Sequence, residues 1–176
     1  SLGCVQPKMI YMRQPEVLDS CGSYFTKVGF LKHIGNQEKK DLPQYNKSFP
    51  IFSVKGACLM FKKELLAKTG GLFDADFWNY FEETDFCLRV WLAGYQCWYY
   101  PPAVIYHAMG GAAGNFFKNH LVQYHSFKNR LLTYLKNFSA GTLIFLLPVH
   151  LFLDLTLSLI MLVTGQWRQS AAIYRA

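Results

Sequence analysis

The chain has 176 residues, of which 52% are hydrophobic and 16% are charged, and its formal net charge is +7. This length is enough for one domain with its own hydrophobic core. The five cysteines are odd in number and include no Cys-x-x-Cys pair, which excludes a disulfide framework or a zinc ribbon and indicates a reducing compartment.

Charge and apolar residues are distributed unevenly along the chain. Up to Asp85 there are 11 Lys/Arg against 10 Asp/Glu, whereas beyond it seven basic residues face Asp154 alone. That aspartate is also the one charge within the apolar segment 139–164. A basic surplus beside an apolar run indicates an anionic membrane surface rather than nucleic acid. The composition predicts a globular part at residues 1–136 and a membrane-associated helical tail at 137–176.

The first half of the chain alternates β-type runs with loops. Residues 4–12 predict a buried strand, in which Pro7 requires an edge or a bulge. Residues 13–50 are loop-rich, with a possible short hairpin in the stretch SYFTKVGFL. Residues 52–61 have a β-type pattern, and the following stretch KKELLAKT predicts a helix of two to three turns that ends at Gly70-Gly71.

The second half continues this alternation. A helix is predicted to begin near residues 81–82, with Leu88, Trp91 and Leu92 on its core face and Gly94 at its end. Two short strands across Pro101-Pro102 follow, then a helix at 119–137 and the apolar segment. Strands alternating with helices predict an α/β fold.

Glu82, Glu83 and Asp85 are surrounded by aromatic residues in the stretch FWNYFEETDF. On a helix, residues 82 and 85 share a face while residue 83 points about 100° away, so the three acids cannot share one role. A partly desolvated carboxylate at a helix start has a raised pKa, which suits a general base. The alternative is a solvated first turn whose acids only favour the helix dipole.

His107 ends a predicted strand and precedes the glycine-rich loop 108–114. It is either a structural histidine or a metal ligand beside a loop that acts as a hinge or lid. The pair Asp74 and Asp76 resembles the Asp-x-Asp that holds a metal-bound nucleotide diphosphate. It follows Gly70-Gly71 in a predicted turn rather than a hydrophobic strand, so we do not assign it that role.

Residues 54–114 combine these features in a specific order. The order is a Gly-Ala pair, a basic pair, Gly-Gly with Phe-Asp, an aromatic pair, an acidic pair with a further acid, Cys-x-Arg, Gly-Tyr, a proline, and a histidine before Gly-Gly. The residues concerned are Gly56-Ala57, Lys62-Lys63, Gly70-Gly71, Phe73-Asp74, Phe77-Trp78, Glu82-Glu83, Asp85, Cys87, Arg89, Gly94-Tyr95, Pro101, His107 and Gly110-Gly111. This block resembles the C-terminal half of a family 2 glycosyltransferase, of the rhamnosyltransferase-like branch that builds bacterial surface polysaccharides. Weaker similarity extends over nearly the whole chain.

The resemblance implies a partial GT-A fold, with a mixed sheet between helices, and inverting transfer from a nucleotide-sugar donor. It places the general base at Glu83, within a catalytic group that also includes Glu82 and Asp85, and Asp85 would orient the acceptor or the base. Acceptor binding falls to Trp78, Tyr80, Gly56 and Ala57. His107 maps onto a ligand of the divalent cation, Mn²⁺ or Mg²⁺, and its imidazole favours Mn²⁺.

The donor-binding half of that fold, with its Asp-x-Asp, is absent from this chain. We therefore expect a fragment of a longer protein, which alone neither binds the donor tightly nor transfers sugar. The acceptor would be a glycan or a lipid-linked glycan, with no role for nucleic acid. The alternative is a non-catalytic carbohydrate-binding or membrane-scaffold module with the same fold. A third possibility, an unrelated metalloenzyme using His107 with Asp85 or Glu83, lacks further ligands at a standard spacing.

The tail predicts association with the cytoplasmic face of the cell membrane. Its apolar segment is long enough to cross a bilayer. However, Pro148 interrupts it, and His150, Asp154 and Ser158 fall on one helical face. A polar stripe with basic flanks favours a helix in the plane of the interface over one across the bilayer.

Overall fold

The computed structural model describes residues 1–108 and 119–176. Contacts divide it into two compact units, one of residues 1–74 with 83–109 and one of residues 75–82 with 110–176. Here they are called the sheet unit and the helical unit. The boundary after residue 136, which follows composition alone, stays a prediction.

The sheet unit contains all seven strands of the described residues. They are β1 (Leu2–Tyr11), β2 (Gln14–Ser20), β3 (Ser23–Phe25), β4 (Leu31–His33), β5 (Phe49–Ile51), β6 (Met60–Phe61) and β7 (Gln96–His107). A mixed five-stranded sheet has the order β2-β1-β7-β5, with β6 also paired to β1, and β3 and β4 form a separate hairpin. β1 and β7 run parallel, and the other pairs are antiparallel.

The helices are also numbered in their order along the chain. They are α1 (Leu65–Lys68), α2 (Glu82–Leu92), α3 (His120–Asn137), α4 (Ala140–Val163) and α5 (Trp167–Tyr174), with a 3₁₀ turn at Pro43–Asn46. The predicted fold class, α/β with a mixed sheet, flanking helices and a hydrophobic helical C-terminal segment, is confirmed.

β1 lies at the centre of the sheet, and most of its residues are buried; besides apolar side chains these include the polar Gln6 and Lys8. Pro7 cannot donate to a neighbouring strand, and the pairing with β7 shifts register directly after it, from Pro7–Tyr100 to Lys8–Val104. The predicted bulge is confirmed. The same bulge accommodates Pro101 and Pro102 within β7. The two strands predicted across these prolines are therefore one continuous strand, β7, which corrects that prediction.

Three other sequence predictions are wrong in part. The loop-rich stretch 13–50 contains β2 and β5 besides the predicted hairpin. The β-type run 52–61 is strand only at its last two residues, because the chain turns at residues 56–57. The helix predicted after it is only one turn, α1, and it ends before Gly70-Gly71 as predicted, where the Gly71 amide donates to the carbonyl of Leu66.

α2 begins at Glu82 as predicted, and Gly94, with φ of 82°, follows its end. Its buried face contains Phe86, Cys87, Leu88 and Val90, which pack on the sheet. Leu92, placed on that face by the sequence, is 66% exposed. The other two residues of the predicted core face are confirmed, because Leu88 is buried and Trp91 packs against the core.

In the helical unit, α4 has its polar side chains inside and its apolar side chains outside. Its buried residues are His150, Asp154, Ser158 and Met161, the first three of which are the predicted polar stripe. The Arg130 guanidinium on α3 lies 2.5 and 2.6 Å from the two carboxylate oxygens of Asp154. The hydroxyl of Ser158 bonds Ser170 on α5. Conversely, large apolar side chains such as Phe145, at 77%, are exposed.

Candidate functional site

Asp19, at the end of β2, forms the centre of a polar cluster in the sheet unit. Its side chain is fully buried, with one carboxylate oxygen 2.6 Å from the Lys55 ammonium and the other 2.8 Å from Nδ1 of His107. β2 and β7 lie on either side of β1, so the sheet brings their ends together. Gln6 on β1 completes the cluster by accepting from the Lys55 amide at 2.6 Å.

Burial opposes the ionisation of Asp19, but the hydrogen bonds and charges of Lys55 and His107 outweigh it and hold the pKa of Asp19 below its ordinary value. The ionised Asp19 can accept a hydrogen bond from Nδ1 of His107, and in the neutral imidazole Nε2 is then the acceptor or ligand atom. Metal-bound histidines are usually held in this way by a carboxylate.

Glu83, the predicted general base, lies in the first turn of α2. One of its carboxylate oxygens is 3.4 Å from the backbone nitrogen of Gly56. A Cβ on Gly56 would lie 3.5 Å from the Glu83 carboxyl carbon, so the exposed turn approaches this side chain closely. The structure therefore brings Gly56 to Glu83, and it places Ala57 exposed in the same turn.

Gly56 also connects Glu83 to the Asp19 cluster through the chain itself. Its neighbour Lys55 contacts Asp19, and Asp19 contacts His107. The predicted base and the predicted cation ligand thus stand at the two ends of one series of contacts within the sheet unit. Asp19 and Lys55, which complete the series, were not identified from the sequence.

Glu82, the first acid of the pair, is half-buried in the first turn of α2. Desolvation by burial raises its pKa above the ordinary value for glutamate. Its Oε2 atom is buried and accepts no hydrogen bond from the residues that the structure describes. The sequence predicted a raised carboxyl pKa in this stretch, and Glu82 has one.

Asp85 is buried and serves as the partner of Arg89. Its carboxylate accepts from Nε of Arg89 at 2.8 Å, one helical turn away. Arg89 in turn donates to the carbonyl oxygens of Thr69, Gly71 and Leu72, which form the turn after α1. The observed contacts of Asp85 support an architectural role, and its predicted role towards the acceptor stays a prediction.

Trp78 and Tyr80, the predicted acceptor-binding residues, lie in a strained turn of the helical unit. Trp78, Tyr80 and Phe81 have φ of 57°, 69° and 68°, in the left-handed region that residues with a Cβ avoid. Trp78 is 75% exposed and packs against the ring of His125, with ring centroids 4.6 Å apart. Desolvation by burial raises the pKa of Tyr80.

Asn129 on α3 holds this turn. The residue is fully buried, and its Nδ2 atom donates to the carbonyl oxygens of Phe77, Asn79 and Tyr80 at 2.7, 2.8 and 2.7 Å. Left-handed residues cost about 1–3 kcal/mol each and persist where the surroundings determine them, which often happens at functional sites. No local pattern in the sequence pointed to a role for Asn129.

The residues around Asp19 offer a divalent cation one ligand rather than a full set of ligands. Within residues 1–108 and 119–176 no three side chains of His, Cys, Asp or Glu are grouped to hold a metal ion. Nε2 of His107, oriented by Asp19, suits a cation whose other ligands come from elsewhere. Asp76 lies 2.7 Å from the Lys136 ammonium in an exposed ion pair. The glycine loop at 110–114 lies outside the described residues.

Comparison with known proteins leaves the family open, since no family model matches the chain. A stretch of 63 residues is 35% identical to "Uncharacterized protein y4gI" of Sinorhizobium fredii (strain NBRC 101917 / NGR234). The stretch is 36% of this chain and 7% of that protein, so the chain corresponds to a small part of its length. This similarity assigns no activity.

Proposed function

We propose that this chain provides the catalytic-base side of a GT-A-type family 2 glycosyltransferase that transfers sugar, with inversion, to a glycan or lipid-linked acceptor. The observation that supports the proposal most is the series of contacts from Glu83 through Gly56 and Lys55 to Asp19 and His107. It relates the two residues that the chemistry requires, a base and a cation ligand, through one cluster of polar groups.

Glu83 would remove the proton of an acceptor hydroxyl as that oxygen attacks the anomeric carbon of a nucleotide-sugar. The bond from the anomeric carbon to the diphosphate breaks on the opposite face, and the nucleoside diphosphate leaves with the electron pair. A Mn²⁺ or Mg²⁺ ion, when bound, would supply the positive charge that stabilises the leaving diphosphate. Nε2 of His107 is the atom of this chain suited to hold that cation. Trp78 and Tyr80 remain the proposed sugar contacts.

We propose attachment to the cytoplasmic face of the membrane through α4. This is the one helix in the described part of the chain that is long and apolar enough to cross a bilayer, by length and composition. Its polar stripe is buried against α3 and α5, while its apolar side chains are exposed. Such polarity suits a helix surrounded by lipid, because charged groups inside a bilayer pair with one another.

The test uses the complete protein that contains this chain, supplied with a panel of nucleotide-sugars. Glu83→Gln should lower nucleotide release about 10²- to 10⁴-fold with donor affinity nearly unchanged. Glu82→Gln is compared directly, because Glu82 has the raised pKa, and Glu38→Gln removes the same charge from an exposed position. Near-normal turnover by Glu83→Gln would assign the base elsewhere, and loss only with Glu82→Gln would assign it to Glu82.

A second candidate function is glycan binding without catalysis. The exposed Trp78 ring, held in a strained turn and packed on His125, supports it, because sugars bind aromatic faces of this kind. Oligosaccharide binding that is lost in Trp78→Ala, in a protein that releases no nucleotide from any donor, would favour this candidate over the enzyme.

A further inference from the structure

A groove between α3 and α5 in the helical unit has no role in the proposed catalysis. It encloses about 550 Å³, and its lining includes His120, Leu121, Trp167, Arg168, Ala171 and Arg175. Its floor is therefore apolar and its charged groups are two arginines, with no acidic residue among the lining side chains. That combination suits a molecule with a hydrocarbon part and an anionic part.

The two arginines are available for such an anion. Neither Arg168 nor Arg175 forms an ion pair with a carboxylate in residues 1–108 and 119–176. The Arg168 guanidinium lies 5.1 Å from the ring centroid of Trp167, a contact that keeps the arginine beside the apolar wall. Trp167 and Leu121 are 61% and 55% exposed, so the wall is open to solvent.

The groove belongs to the same helical unit as the outward apolar face of α4. α5 packs on α4 through Ser170 and Ser158. A tryptophan beside arginines, next to a helix with exposed apolar side chains, is the arrangement found where a protein meets the headgroup layer. The occupant that matches both the apolar floor and the paired cations is therefore a membrane lipid with a phosphate headgroup.

We propose that the α3–α5 groove binds an anionic phospholipid, with the phosphate between Arg168 and Arg175 and an acyl chain against Trp167 and Leu121. This deepens the membrane attachment proposed above and does not depend on sugar transfer. An anionic lipid held here would fix the helical unit at the cytoplasmic surface, where such lipids are concentrated.

The experiment uses the full chain in neutral detergent micelles, titrated with short-chain phosphatidylglycerol or phosphatidylcholine. Binding is followed by tryptophan fluorescence, with Trp167→Phe identifying the responding ring. We expect phosphatidylglycerol to bind at least tenfold more tightly than phosphatidylcholine. The double variant Arg168→Gln/Arg175→Gln should lose this preference, and Arg168→Lys/Arg175→Lys should keep most of it. Lys27→Gln/Lys32→Gln is the matched control, because it removes two charges from exposed positions of the sheet unit.

Each result has one meaning. The proposal is overturned if the two lipids bind equally or if the preference for phosphatidylglycerol survives in Arg168→Gln/Arg175→Gln. It is also overturned if the control Lys27→Gln/Lys32→Gln loses that preference. Saturation by inorganic phosphate at the same concentration would make the site one for free phosphate. A dimer that dissociates in the Arg→Gln double variant, without lipid binding, would assign the groove to a second copy of this chain. None of these measurements depends on sugar transfer, so the lipid site and the catalytic proposal can fail independently of each other.

Discussion

The side-chain amide nitrogen of Asn129 lies 2.7 Å from the carbonyl oxygen of Tyr80 and joins α3 to the turn that contains Trp78. The same nitrogen reaches two further carbonyls of the turn. The buried side chain of Asn129 thus fixes a backbone conformation that the residues of the turn themselves disfavour.

We expect Asn129→Ala to destabilise the helical unit by about 2–3 kcal/mol, because each lost hydrogen bond to a buried carbonyl contributes about 1 kcal/mol. For a chain of this size that lowers the melting temperature by about 5–10 °C, measured by circular dichroism in neutral detergent. Asn137→Ala, at the end of the same helix, is the control. Equal shifts in the two variants would mean that Asn129 does not hold the turn.

Trp78 provides a test of backbone strain that reverses the usual order of substitutions. With φ of 57° at this position, Trp78→Gly should be more stable than Trp78→Ala by about 1 kcal/mol, since glycine alone adopts this region freely. The same pair at Trp98, in strand β7, should give the opposite order. Thermal unfolding of the four variants provides the comparison, and a more stable alanine at both positions would contradict the strained turn.

The Asp85–Arg89 pair should behave as a buried ion pair. Removing either partner, with Asp85→Asn or Arg89→Met, is expected to cost about 3–5 kcal/mol because the other charge stays buried. The double variant should cost clearly less than the sum. A double-mutant cycle on urea unfolding measures this coupling, and the exposed Glu16–Lys40 pair should give a much smaller coupling in the same cycle. Additive losses at Asp85 and Arg89 would show that the two side chains act separately.

Glu82 gives stability a predictable dependence on pH. Because burial raises its folded pKa, its contribution is fully present below the unfolded pKa of about 4.3 and is lost as the pH rises through the folded value. Glu82→Gln, which stays neutral, should therefore be more stable than the parent at pH 7 and equally stable near pH 4. Urea unfolding at both pH values measures the difference. A Glu82→Gln variant that is less stable than the parent at pH 7 would contradict the desolvation of Glu82.

Local sequence patterns predicted the elements whose formation depends on neighbours in the chain. Helix periodicity and helix-end signals account for the start of α2 at Glu82 and for the helix at 119–137. The missing amide of proline accounts for the bulge after Pro7. The run 52–61 has the same apolar composition as a strand, yet within it only Met60–Phe61 forms a strand, besides an isolated bridge between Ser53 and Ser23. Strand formation needs a partner, and no pattern within the segment shows whether one is available.

The residues of the candidate site likewise fall into those indicated by local sequence patterns and those identified only from tertiary contacts. The sequence indicated Glu83, His107 and the polar stripe of α4, because acids at a helix start, a histidine at a strand end and spacings of four residues are all local features. Asp19, Lys55 and Asn129 acquired their roles only in the tertiary structure. Asp19 and His107 are 88 positions apart and meet across the sheet, and Asn129 and Phe77 are separated by 52 positions. Contacts at such separations depend on how strands and helices pack, which the order of residues along one element does not encode.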